Sequence, residues 1–191
     1  MKIGIYGGSF DPVHTGHAMV ANFVAQCNVV DEVWMMVSRR NPLKEKPASA
    51  SDTDRVRMVE LVADHCAKVK VSDLELNMPY PSYTIATLEE LKRLHPDYDF
   101  SIIIGTDSLI TFPQWKEATR ILKEFGVIVF PRPGYPFPEK EPAGMTFLTG
   151  APQTSISSTL IREYARDGWN IDFFVPPEVA DYIKNHHLYK R

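Results

Sequence analysis

The chain has 191 residues, 44% of them hydrophobic and 24% charged, with a formal net charge of −3. That length supports one domain over 1–191 with a sizeable core, and the acidic balance argues against a broad basic face for nucleic acid. Two isolated cysteines, Cys27 and Cys66, are too few for a disulfide framework or a structural zinc site. With no basic-then-apolar leader and no membrane-length apolar run, a cytoplasmic location with no membrane partner is expected.

The chain alternates β-rich apolar runs with helical patterns. A strand over 2–6 leads into Gly7-Gly8, which reads as a tight turn, and apolar spacing turns helical over 16–27. A strand over 32–37 follows, then a polar loop over 38–52 holding Arg39, Arg40, Lys44 and Lys46. A helix over 53–65, with Val56, Val59 and Val62-Ala63 on one face, precedes a strand over 69–72. The helix over 83–94 carries Ile85, Leu88 and Leu91 on one face, and the strand over 100–104 ends at Gly105-Thr106-Asp107-Ser108. The pattern continues with a helix over 118–124, a strand over 127–130, a proline-rich loop over 131–144 opened by Arg132, and a weak strand over 145–148. Helices over 158–166 and 177–185 complete the chain. Such alternation implies right-handed crossovers and a doubly wound, Rossmann-like α/β fold. Its mostly parallel sheet would carry helices on both faces, with ligands beyond the carboxyl ends of the strands.

The chemistry concentrates at a few places. His14 and His17 stand at the start of the first helix, after the glycines. A metal site would need a third ligand in recognisable spacing, and a general-base pair would need a nucleophile. As cationic or donor groups beside a phosphate at a helix start they fit directly. Far downstream, Ile156-Ser157-Ser158-Thr159 precedes a helix with Arg162 one turn inside. Hydroxyls there can cap the helix and donate to an anion, although a capped helix with a surface arginine reads equally well in isolation. Trp115, in Phe112-Pro113-Gln114-Trp115, is either a core residue or an aromatic face for a flat heterocycle.

Residues 7–17, GGSFDPVHTGH, closely resemble the GGxFDPxHxGH signature of the HxGH nucleotidyltransferase superfamily, and residues 156–162, ISSTLIR, resemble its ISSTxIR signature. The resemblance implies that His14, His17 and Arg162 contact the phosphates of ATP. It also implies that Gly7, Gly8, Ser9, Phe10, Gly16, Gly105, Asp107, Ile156, Ser157, Ser158 and Thr159 line the ATP site, with Asp107 facing a ribose hydroxyl. The PSYT segment at 81–84, the GTDS turn at 105–108, the FPQW segment at 112–115, the RPGYP segment at 132–136 and the tail are similar to the bacterial nicotinate mononucleotide adenylyltransferases. On that likeness Tyr83, Thr84, Trp115 and Arg132 hold the mononucleotide. Two positions depart from the family pattern: Leu43 replaces a common histidine before Lys44, so only the Lys44 phosphate contact carries over, and Ala86 replaces an acidic residue.

The implied reaction joins ATP and nicotinate mononucleotide into nicotinate adenine dinucleotide and pyrophosphate. Mg²⁺ would travel on the ATP phosphates without a protein metal site, and homo-oligomerisation is left open. Nicotinamide mononucleotide or another phosphorylated acceptor is the nearest alternative, and a non-catalytic nucleotide-binding module a more distant one. An oxidoreductase is disfavoured because the first turn lacks GxGxxG.

Overall fold

The computed structural model describes residues 1–39 and 49–190. In chain order its elements are β1 (Lys2–Gly8), α1 (Thr15–Gln26), β2 (Glu32–Val37), α2 (Asp52–Ala63), β3 (Val69–Ser72), α3 (Leu74–Asn77), α4 (Thr84–Leu94) and β4 (Asp99–Gly105). There follow α5 (Thr106–Leu109), a 3₁₀ turn (Phe112–Gln114), α6 (Ala118–Glu124), β5 (Val127–Phe130), β6 (Met145–Phe147), α7 (Ser158–Arg166) and α8 (Pro177–Asn185).

The six strands form one sheet in the order β3-β2-β1-β4-β5-β6, and all five pairings are parallel. The strand order reverses between β1 and β4, so the crevice for a ligand lies beyond their carboxyl ends. Side chains alternate across the sheet and both faces are buried, which is why the strands read as nearly continuous apolar runs. Ile3, Ile5, Phe100, Ile102, Ile104, Val127 and Val129 join the core under α4 and α6. Val33, Met35, Val37, Ile103 and Ile128 join the other, under α1, α2, α7 and α8. Among the described residues no helix is long and apolar enough to cross a membrane.

The structure differs from the sequence reading in three places. Gly7 and Gly8 are the last residues of β1, paired with Met36 and Val37, so the chain turns only after them. The expected face of α2 meets the core, with Val59 and Val62 buried and Val56 and Ala63 packed against them, but the fully buried set also takes in Met58 and Arg55, the latter because it turns inward to bind backbone carbonyls. The single turns α3, α5 and 112–114 have no counterpart in the sequence reading, since one turn is too short to show a period.

Candidate active site

The carboxyl ends of β1 and β4 lie side by side in parallel register. Beyond them opens a cleft of about 360 Å³ whose wall includes Gly7, Gly8, Ser9 and His17 from the first turn. Gly105 at the end of β4, Asp107 after it, Arg132 after β5, and Thr84 and Trp115 from the flanking turns line the same cleft. The two glycines that end β1 serve different purposes. A Cβ on Gly7 would meet no atom within 4 Å, so the backbone there presents an open face to the cleft, whereas one on Gly8 would press into the Phe10 ring at 2.9 Å. At Gly105 a Cβ would collide with Asp107 Oδ1 and stand 2.7 Å from Arg132 Cγ, so glycine lets both charged side chains fold back over the end of β4.

His14 is the N-cap of α1, and the two histidines cap each other. The His17 amide donates to His14 Nδ1 at 3.3 Å and the His14 amide donates to His17 Nδ1 at 3.2 Å. Their rings stack with centroids 3.6 Å apart. This is a capping box with imidazoles in place of the usual hydroxyl and carboxyl groups. Because each Nδ1 accepts, the ring hydrogens sit on Nε2, and both rings are neutral donors in this arrangement. Of the two expected alternatives, cation or donor, His14 takes the second: it is only 3% exposed, and burial, with Arg132 nearby, lowers its pKa from 6.5 to about 4. His17, unlike His14, lines the cleft.

Neutral His14 has a consequence for stability. Between pH 6.5 and about 4 the unfolded chain binds a proton that the folded protein excludes, so stability falls as pH drops through that window. Lowering the pH from about 7 to about 5 should remove about 2 kcal/mol through this group. Denaturant unfolding of the parent and of His14→Asn, which keeps a capping acceptor but does not titrate, checks it. The parent should show the steeper loss, and equal slopes would contradict a neutral His14.

The downstream segment packs directly against this turn. Ser157 caps α7 by accepting from the Leu160 amide at 3.2 Å, and the Ser158 hydroxyl donates to the Pro12 carbonyl at 2.9 Å. Arg162 donates to the Asp11 carbonyl at 2.6 Å and to Thr159 Oγ1 at 3.2 Å. Gly16 permits the approach, since a Cβ there would lie 2.6 Å from Thr154 Cγ2. The Ile156 amide is turned back to Thr154 Oγ1 at 3.1 Å.

Two residues that the sequence reading passed over organise this region. Asp11 is 4% exposed. Its carboxylate accepts from the Ser49 amide at 2.7 Å, the Ala50 amide at 3.0 Å and the Tyr189 hydroxyl at 2.9 Å. The Arg162 guanidinium stands 3.9 Å from it. Arg55, fully buried, donates to the Ser9 and Ser38 carbonyls and pairs with Asp52 at 2.6 Å. The aspartate lies inside the first motif and could have been found there; a buried arginine on a helix face gives no such signal.

At the other end of the cleft Trp115 is half-buried, packed on Phe112 with ring centroids 5.5 Å apart. It is thus partly a core residue and partly cleft wall. Arg132 donates its amide to Thr106 Oγ1 at 2.9 Å, and its guanidinium lies 3.8 Å from the Asp107 carboxylate. His14, Gly16, Arg162 and the 156–159 segment pack beside the first turn and are not among the residues lining the cleft, and neither are Tyr83 and Phe10. The Tyr83 ring is exposed beneath Lys116, whose Nζ is 4.6 Å from the ring centre, while Ser82 and Thr84 on either side reach the cleft. Phe10 is 1% exposed and packs edge-on to Tyr6 and His17, so its ring supports the turn from the core. Lys44 lies outside the described residues. Among the described residues no group of three or more His, Cys, Asp or Glu is placed to hold a metal ion.

The comparisons with known proteins agree with this fold. The cytidylyltransferase-like family model matches residues 5–164. The chain is 38% identical to the "Probable nicotinate-nucleotide adenylyltransferase" of Flavobacterium johnsoniae, the match covering 100% of both chains. It is 39% identical to the protein of the same name from Bacteroides thetaiotaomicron, over 97% of this chain and 92% of the relative. In fold it is similar to the solved structure of the Plasmodium falciparum nicotinic acid mononucleotide adenylyltransferase complexed with NaAD. The TM-score is 0.81 at 24% identity, covering 98% of this chain and 97% of that one.

Proposed function

The chain belongs to the cytidylyltransferase-like family, and from that premise we propose that it is a nicotinate-nucleotide adenylyltransferase working as one domain over 1–191. It transfers the adenylyl group of ATP to nicotinate mononucleotide, in the cytoplasm, as a step in making a pyridine dinucleotide. The observation that supports this reading is the cleft at the switch point, lined by Gly7, Ser9 and His17 of the first turn together with Thr84 and Trp115. Relatives at 38% and 39% identity over nearly the whole chain carry the same activity in their names.

The chemistry needs alignment more than acid–base help. A phosphate oxygen of the mononucleotide, already ionised near neutral pH, attacks the α-phosphorus of ATP. The new P–O bond forms as the bond to the β-phosphate oxygen breaks, and pyrophosphate leaves. The nucleotide substrate is the magnesium complex of ATP, so the ion arrives and departs with phosphate oxygens. The His17 Nε2–H, the Arg162 guanidinium and the open backbone at Gly7 are the donors that follow the charge from the α-phosphate to the leaving group, joined by Lys44. His14 supports that set by holding His17 in its tautomer. Asp107 accepts from a ribose hydroxyl, and Arg132 holds the acceptor phosphate.

A carboxylate on the acceptor ring suits this cleft. The N-terminus of α4 has no side-chain cap and no acidic residue in its first turn, and Thr84 of that turn lines the cleft. Uncapped amides and the helix dipole favour an anion there. The test is product analysis after incubation with ATP, Mg²⁺ and either nicotinate or nicotinamide mononucleotide. Nicotinate adenine dinucleotide and pyrophosphate should form. No dinucleotide from either acceptor, or dinucleotide from the amide alone, would contradict the reading. Trp115→Ala should raise KM for the mononucleotide about tenfold through lost stacking and change KM for ATP little. Equal effects on both substrates would mark a purely structural tryptophan.

A further inference from the structure

Glu75, on the single turn α3, lines the same cleft as Ser82, Thr84 and Trp115 and has no part in the mechanism above. Its Oε1 accepts from the Thr87 hydroxyl at 2.8 Å, and Thr87 is 2% exposed on the inner face of α4. The same hydroxyl lies 3.4 Å from the Tyr83 carbonyl, so the pair ties α3 to the turn that introduces Thr84. The other oxygen, Oε2, has no partner among the described residues. Among the described residues few charges face it: Arg39 donates to the Leu76 carbonyl on the same turn, and His17, Asp107 and Arg132 line the cleft, the last two paired with each other.

We propose that Glu75 is a specificity-determining residue of the acceptor end, whose cleft-lining carboxyl group makes the choice between acid and amide mononucleotides depend on its own charge. The inference rests on the reading that the cleft takes a pyridine mononucleotide. An ionised Glu75 repels a carboxylate on the acceptor ring and accepts from a carboxamide N–H; a neutral one does neither. Burial holds the Glu75 carboxyl above its ordinary range, opposed by the Thr87 hydrogen bond. The acid is therefore favoured at lower pH and loses its advantage as pH rises through the titration of this group.

The experiment measures kcat/KM for nicotinate and nicotinamide mononucleotides at saturating Mg²⁺ and ATP, from about pH 5.5 to about pH 9, in the parent and in Glu75→Gln. The acceptor phosphate titrates in both substrates, so its effect cancels in the acid-to-amide ratio. In the parent that ratio should fall about tenfold with rising pH, the size of one pKa unit of coupling between two carboxylates. In Glu75→Gln, which keeps the shape and the Thr87 contact, the ratio should be flat and the KM for the acid lower at high pH. Trp115 fluorescence titrated with each mononucleotide gives the same comparison without turnover. A pH-independent ratio in the parent, or the same pH dependence in both proteins, overturns the role of Glu75 alone. If the parent neither makes dinucleotide from nor binds either mononucleotide, the reading beneath it fails, and this inference with it.

Discussion

Arg162→Ala should fold and should lose about 10³-fold in kcat, since a guanidinium aimed at developing phosphate charge is worth that much in a dry site. The side chain is held by the Asp11 carbonyl at 2.6 Å and by Thr159 Oγ1 at 3.2 Å, so its fork is oriented before substrate arrives. Lysine keeps the charge and loses the fork; Arg162→Lys should regain only a small part of the rate. Some stability will go as well, because the buried Asp11 carboxylate loses the cation 3.9 Å away. Its bonds from Ser49, Ala50 and Tyr189 remain, so unfolding should stay cooperative. Steady-state kinetics beside a thermal melt separate the two effects. A well-folded Arg162→Ala protein with near-parental kcat would remove Arg162 from the phosphate set.

The second large effect belongs to His17. His17→Ala removes a neutral Nε2–H donor from the cleft and also the acceptor for the His14 amide. The first loss should lower kcat about 10²-fold, and the second should cost about 1 kcal/mol of helix capping. Glutamine separates them. At the third helical position it is the ordinary partner in a capping box and can accept from the His14 amide, so His17→Gln should recover the melting temperature. Its amide does not reproduce the imidazole N–H in the stacked geometry, so turnover should stay low. Full recovery of turnover with glutamine would mean that His17 acts only through the cap.

Much of this was legible in the sequence because the signals are local. The six strands and the longer helices follow from apolar spacing, and the adjacency of the β1 and β4 ends follows from strand–helix alternation. The first motif and the segment at 156–162 stand out in the sequence although they lie far apart in it, and the Ser158–Pro12 contact brings them together. What stayed hidden depends on contacts between distant residues. Tyr189 meets Asp11 across 178 positions, and nothing near either residue announces it. Arg55 occupies an inward position of α2 that a hydrophobic pattern marks as exposed, and only the carbonyls of Ser9 and Ser38 explain it. Phe10 stands inside a ligand-binding motif yet fills the core beneath Gly8. Tyr83 turns outward while its neighbours line the cleft. The reciprocal histidine cap was unreadable for a different reason: residue types fix which atoms can bond, but not which tautomer the backbone selects.

The central claim is direct transfer, in which the mononucleotide's own phosphate oxygen becomes the bridge of the dinucleotide. Nicotinate mononucleotide labelled with ¹⁸O at every non-bridging phosphate oxygen tests it in one reaction with unlabelled ATP and Mg²⁺. Mass spectrometry of the products should find all of the label in the dinucleotide, one labelled oxygen at the bridge, and none in pyrophosphate. A dinucleotide that has lost one labelled oxygen would mean that the bridge came from ATP, and the assignment of attacking and leaving groups would be reversed.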